Sequence, residues 1–293
     1  FYTNPARAHF RNATGTTLVR QEEPPTTSLP IDLNGLQRWQ LGTDLYELLL
    51  AGVAPEQAER SALYSGQVLA NTQGQQMVQG VLDEARELAD MTLQARAGEP
   101  AHFADCRVDL GSHRLQGRVQ MFGNRVVAHR FGRVKEAQVL GAWLRLLLLS
   151  ASGRHDPAQL DAVVVGRYAK RLTAPGQLTA QQLLGELVEV RNAGLGMVLP
   201  LPIDCAASYS GWYGNRSDPM TSAWRTFDST NSDIHWKHYY PSFDDLLASE
   251  PLPADPVAGS GPATTRFEGL TGWLLGPMTE HQDWWTPEAE ARL

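Results

Sequence analysis

Residues 107–150 constrain the fold more than any other stretch of the chain. They read RVDLGSHRLQGRVQMFGNRVVAHRFGRVKEAQVLGAWLRLLLLS. Residues 107–110, 115–122 and 125–131 each have the length of a strand, and the pairs Gly111-Ser112 and Gly123-Asn124 separate them. Glycine-containing pairs between such runs favour tight hairpin connections. From Val134 the period changes. Val139, Leu140, Trp143, Leu144, Leu146, Leu147 and Leu148 recur at helical spacing, which predicts one strongly apolar helix. A strand meander feeding a buried helix is the nucleus of a mixed α/β domain.

The flanks read mainly as helix. Asn4-Pro5 starts a short helix reaching about Asn12, because Asn can cap and Pro fits the first turn. Residues 33–50 form another, with a break expected at Gly42-Thr43-Asp44, and Pro55 begins a third. Residues 75–97 form the longest, with Met77, Val78, Val81, Leu82, Ala85, Leu88 and Ala89 on one stripe. Downstream, residues 161–168 read as one buried strand and residues 178–191 as a helix. Residues 197–203 read as a last short strand, kept to an edge by Pro200 and Pro202. Residues 204–227 read as mostly helical, and the Pro/Gly/Ser-rich run 249–265 as a linker or mobile loop. No internal repeat is visible.

Composition narrows the function classes. The 293 residues are 42% hydrophobic, enough for a substantial core. The net charge of -7 argues against wholesale coating of nucleic acid but permits a local basic face. Two cysteines far apart, Cys106 and Cys205, make no disulfide framework and suit free thiols in a reducing cytoplasm. No run approaches the roughly 20 apolar residues of a membrane span, and no secretory signal opens the chain. Phe1 reads as the middle of something longer. Asn12-Ala13-Thr14 and Asn215-Arg216-Ser217 match the glycosylation pattern, which carries no weight without such a signal.

The candidate sites have competing readings. Arg107, Arg114, Arg118, Arg125, Arg130, Arg133 and Lys135 gather on the hairpins, with only Asp109 and Glu136 counted as interrupting acids. Alternating cations on strands can track phosphates, or they can form an ordinary solvated face. Tyr209, Trp212, Tyr213, Trp224, Trp236, Tyr239, Tyr240, Trp284 and Trp285 crowd the C-terminal third. They fit base stacking or partner anchoring, or plain burial. Asp233, His235 and His238 have metal-capable types without clear further ligands. Gly-x-Ser-x-Gly and phosphate-loop motifs are absent. Asp105 and Asp109 are a possible Mg²⁺ pair.

Four stretches together carry a family resemblance. Residues 4–12 (NPARAHFRN) resemble the helix opening the nuclease-like region of RecC, the gamma subunit of exodeoxyribonuclease V. Residues 32–42 (DLNGLQRWQLG) resemble the next helix of those regions, and LQGRV at 115–119 and GAWLRL at 141–146 follow in order. The resemblance covers about residues 1–250 and implies a fold like the PD-(D/E)XK nucleases. It divides the chain into a helical portion at 1–97, a nuclease-like mixed sheet flanked by helices at 98–250, and a linker with a tail packing on the core at 251–293.

Active members of that superfamily place an Asp on one central strand and an acid-x-Lys on the next, so that two carboxylates hold Mg²⁺. In this chain Gln120 stands at the first acid, Ala128 at the second and Arg130 at the Lys. Neutral Gln and Ala cannot hold a hard divalent cation. A register shift does not help, because Met121, Val127 and His129 are not acids either. The resemblance therefore implies a dead nuclease fold with no catalytic residue, no metal and no cofactor. It further implies a scaffold in a heterotrimer with RecB-like and RecD-like subunits, whose ATP-dependent activity the partners supply, handling double-stranded DNA ends and separated single strands in recombinational repair. Arg114, Arg118, Arg125, Arg130, Arg133 and Lys135 are the expected DNA contacts, and Trp212, Tyr213 and Trp236 the expected partner contacts. A live Mg²⁺ nuclease using Asp105 and Asp109, or a protein-interaction module without a DNA role, are the alternatives.

Overall fold

The computed structural model describes residues 1–19, 33–69, 71–211, 218–229, 233–252, 255–256 and 265–287. Helix α1 (Pro5–Thr14) begins where the Asn4 side chain accepts the Arg7 backbone N–H, and it ends at Gly15 in the left-handed region at φ 71. Helices α2 (Gly35–Leu50), α3 (Pro55–Tyr64) and α4 (Thr72–Ala95) follow. Leu41, Leu45, Tyr46, Val81, Leu82 and Leu88 pack between them, joined by Phe131 from the loop after the third strand.

The expected break in α2 does not occur. Helix α2 runs unbroken through Gly42, and the reason for glycine there is space. A Cβ at Gly42 would lie 2.0 Å from the Phe131 ring. The residue permits a close approach of ring to helix rather than a bend.

The sheet is six-stranded and mixed, in the order β1-β2-β3-β4-β5-β6. Strands β1 (Ala101–Leu110) and β2 (His113–Phe122) form an antiparallel hairpin. β1 starts six residues earlier than the apolar pattern suggests, because all of β2 pairs, from Leu110 opposite His113 to Ala101 opposite Phe122. Gly111 and Gly123 take positive φ at the two turns. Strand β3 (Arg125–His129) connects through helix α5 (Glu136–Ala151) to β4 (Asp161–Val165), which lies parallel to it. The stretch read as one strand at 161–168 turns at Gly166 and returns antiparallel as β5 (Ala169–Thr173).

Helix α6 (Gln177–Gly196) leads into residues 197–202, which form no strand, correcting the edge-strand expectation. Pro200 and Pro202 lack the N–H groups a ladder needs, yet Leu199 and Leu201 are buried, so the alternation reflects burial in a loop. Helices α7 (Ile203–Tyr209), α8 (Pro219–Ser229), α9 (Ile234–Tyr239) and α10 (Phe243–Leu247) then cover one end of the molecule. Helix α11 (Arg266–Glu280) buries Phe267, Leu270, Leu274 and Met278, and β6 (Gln282–Trp285) pairs antiparallel with β5.

Helix α5 is the centre. Val139, Leu140, Trp143, Leu146 and Leu147 are buried among Cys106, Val108, Val119 and Met121 of the hairpin's inner face. Each fully buried Leu or Val of this kind stabilises by about 1.5–3 kcal/mol. Cys106 and Cys205 are buried and are not joined in a disulfide. Among the described residues, no helix is long and apolar enough to cross a membrane.

Candidate nucleic-acid interface

Strand alternation turns Arg107, Arg114 and Arg118 outward on the hairpin, and it turns Asp105 and Asp109 outward with them. The register sets Asp105 opposite Arg118 and Asp109 opposite Arg114. Arg114 Nε lies 2.6 Å from Asp109 Oδ1, and Arg118 Nε 3.6 Å from Asp105 Oδ1. Asp105 joins Asp109 as an acid that interrupts the cations, so this face carries less positive charge than its arginines suggest. Exposed pairs of this kind add at most about 1 kcal/mol of stability, but they lower the charge a polyanion meets.

The same pairs correct the Mg²⁺ alternative. Asp105 and Asp109 are four residues apart on one strand, which separates their Cα atoms by roughly 13 Å at 3.3 Å per residue. Each is held by its own arginine. Among the described residues, no three His, Cys, Asp or Glu side chains are grouped to hold a metal ion.

Arg125 leaves the interface set altogether. Its guanidinium donates to both carboxylate oxygens of Asp161, at 2.7 and 2.8 Å, and its side chain is 13% exposed. Arg171 donates to the same carboxylate at 2.8 Å. The cluster clamps the starts of β3 and β4, where Arg125 and Asp161 are register partners. His113 is also drawn inward to α6, where it meets Asn192 and Glu189.

Strands β2 and β3 have their registered pair at Phe122 and Arg125, beside the turn, and part beyond it. A cleft of about 500 Å³ opens there. Phe103, Arg118 and Gln120 of the hairpin line one side, Ala128 and His129 of β3 another, and Gln138, Gly141 and Arg145 of α5 the third. Gln120 and Ala128, both expected at degenerate metal positions, thus meet in one cavity. Arg130, the third, does not line it and turns into a neighbouring cleft. Among the described residues, no carboxylate lines the β2/β3 cleft. Arg145 is exposed, its guanidinium folded back over Gly141, and it makes no ion pair among the described residues. Its position inside an apolar helical run hid it from the sequence reading, which took the whole run as core.

His129 sits at the floor of this cleft against the Tyr46 ring. Arg96 Nη2 lies 3.3 Å from its Nε2. Burial, then the Arg96 charge, lower its basicity. An arginine donates only, so Nε2 accepts and Nδ1 carries the proton. Nδ1 is buried without a partner.

The neighbouring cleft, about 600 Å³, shares Ala137 and Gln138 with the first, so both meet at the start of α5. Arg130, Lys135 and Lys237 line it together with Asp204, Asp228 and Asp233, which balances its charge. Trp224, 50% exposed, and half-buried Trp236 supply aromatic surface. Trp212 and Tyr213 lie outside the described residues. Arg133 and Lys135 are exposed at the approach to α5, and Arg130 is half-buried near the Trp39 ring. Behind the wall, Glu136 is 2% exposed, and burial with the nearby Asp204 carboxyl pushes its pKa up to about 8.

The metal reading of Asp233, His235 and His238 is corrected by their bonds. His235 is buried, with Nδ1 on Asp233 at 3.1 Å and Nε2 accepting the Leu18 N–H at 3.2 Å. Neither ring nitrogen is left for a metal. His238 packs edge-on against Phe10 and Tyr239.

A family model described as the RecC C-terminal domain matches residues 1–211. The protein named RecBCD enzyme subunit RecC from Mycobacterium tuberculosis strain H37Rv is 28% identical over 295 residues, covering 95% of this chain and 26% of that protein. The same-named protein of Mycolicibacterium smegmatis is 28% identical over 230 residues, covering 76% of this chain and 21% of that protein. The chain thus spans about a quarter of the length of these relatives. By the family match over most of its length, the chain belongs to the RecC C-terminal domain family.

Proposed function

We propose that this chain is a non-catalytic, DNA-guiding part of a RecBCD-type enzyme, built on a degenerate nuclease-like sheet. In this reading it works in a heterotrimer with RecB-like and RecD-like subunits that supply the ATP-dependent chemistry. It receives double-stranded ends and helps keep the strands apart during recombinational repair. The observation that carries the reading is the β2/β3 cleft. Neutral Gln120 and Ala128 line it, Arg118 and Arg145 flank it, and among the described residues no carboxylate does. A metal-dependent nuclease needs acids at such a place. A surface that lets a phosphate backbone pass needs cations without them.

The test is binding of a forked DNA by the chain across a salt series, with and without Mg²⁺. Affinity should fall with salt while the DNA stays intact. Arg145→Ala should reduce the salt slope by about 0.7–0.9, and Arg118→Ala by less, because Asp105 already offsets its charge. Mg²⁺-dependent cleavage would overturn the non-catalytic assignment.

The balanced cleft supports a second role beside the first, docking of a partner subunit. Its charges cancel and Trp224 stands half exposed, which suits an interface anchor better than a phosphate track. Absence of DNA binding at low salt, with Trp224→Ala impairing assembly with the partner subunits, would make docking the chain's main role.

A further inference from the structure

We infer that the β2/β3 cleft selects single-stranded nucleic acid, with a base stacked on Phe103 at its mouth. The inference deepens the DNA-guiding reading and rests on it. Phe103 sits on the outer face of β1, opposite Gln120 in register, and it is 53% exposed. Exposing an aromatic ring on a strand face forgoes the burial that usually justifies one. Arg118 holds the ring in place, its guanidinium carbon 4.6 Å from the ring centroid. Arg118 and Phe103 thus form a cation-backed ring platform, a surface on which a base can stack irrespective of its identity.

The surroundings fit a strand rather than a duplex. Arg118 and Arg145 stand on opposite walls, from β2 and α5, where they can meet successive phosphates. Gln120 offers an amide, able to donate and accept, beside the ring. That amide suits a base edge. His129 lines the cleft too, with its Nε2 already engaged by Arg96 and its Nδ1 buried. In an intact duplex every internal base face is already covered by its neighbours, so the Phe103 ring would gain nothing. The cleft's volume of about 500 Å³ lies in the range of pockets that enclose small ligands, which accords with a nucleotide unit.

The test measures binding of three probes to the chain: a short oligothymidylate, an abasic strand of the same length, and the forked DNA. Oligothymidylate should bind more tightly than the abasic strand, since both carry the same phosphates and only one carries bases. Phe103→Ala should weaken oligothymidylate about 5- to 100-fold and abolish its advantage over the abasic strand. Phe103→Leu, which keeps apolar bulk without a flat face, should behave like the alanine variant, and Phe103→Trp should retain binding. Phe103 is on the exposed face, so these variants should fold, with unchanged circular dichroism. Equal binding of oligothymidylate and abasic strand, or indifference to Phe103→Ala while the fork still binds, would overturn this inference alone. Failure of all three probes to bind at low salt would overturn it together with the DNA-guiding reading.

Discussion

Single side chains settle several questions that residue types leave open. Glycine in a helix costs about 1 kcal/mol against alanine, so Gly42 must return something, and what it returns is contact with Phe131. Gly42→Ala should therefore destabilise rather than stabilise, by roughly 1–3 kcal/mol through overpacking. A urea titration reads this directly, and a gain in stability would mean that the ring moves aside freely. Glu136 supplies a pH dependence. Its folded pKa of about 8 lies above the ordinary carboxyl value of 4.5, so the folded state holds a proton that the unfolded state releases. Stability should fall as pH rises from about 4.5 to 8, at a slope of at most about 1.4 kcal/mol per pH unit. Lys170, lowered to about 8 by burial, works the other way above that pH. The unfolded chain keeps its proton until about 10.5, so this group regains stability as pH rises. Asp204, Lys135, Tyr168 and Arg130 are the other groups bearing on Glu136. Thermal melts of Glu136→Gln should be less sensitive than the unsubstituted chain between pH 5 and 8, the variant being the more stable at the upper end. Parallel melting curves would remove this carboxyl from the linkage.

Elements were legible where periodicity was strong. The stripe of α4 and the apolar run of α5 could be read because burial on one face repeats every 3.6 residues. The hairpin could be read from its turns. What escaped had short range or mixed signals. β5 holds Lys170 and Arg171, whose burial and pairing with β4 depend on partners distant in sequence. β6 is four residues long and is defined by β5 alone. Residues 197–202 alternate like a strand yet lack the donors for one. The interface set was legible in part. Arg118 was visible from alternation, but Arg125 has the same residue type and strand context, and only Asp161, 36 residues downstream, reveals its role. Arg125→Ala should accordingly behave as a structural lesion. It leaves the Asp161 carboxylate short of a bidentate partner with Arg171 alone beside it. The expected cost is about 3–5 kcal/mol, visible in denaturant midpoints. A variant as stable as the parent would argue that Arg171 alone satisfies Asp161.

At the scale of the whole molecule, the acidic total and the proposed contact with a polyanion have to be reconciled. A net charge of -7 repels DNA at distances within which salt does not screen, about 10 Å at 0.1 M. Contact then depends on where the cations stand. Arg114 and Arg118 are offset by Asp109 and Asp105, and Arg130, Lys135 and Lys237 share a cleft with three acids. Arg145 sits in the cavity that, among the described residues, no carboxylate lines. It should therefore contribute more per charge than any cation of the hairpin. Arg145→Ala should lower the salt slope of fork binding by about 0.7–0.9 with unfolding free energy unchanged within about 0.5 kcal/mol, since surface substitutions rarely cost more. Arg114→Ala should alter the slope less, because Asp109 already offsets its charge. Arg125→Ala should lower stability and, under conditions where it is folded, leave the slope alone. The three substitutions remove the same charge from one molecule, so net charge cannot separate them and location can. If all three lowered the slope equally, binding would follow the overall field, and the cleft at the start of α5 would lose its special place.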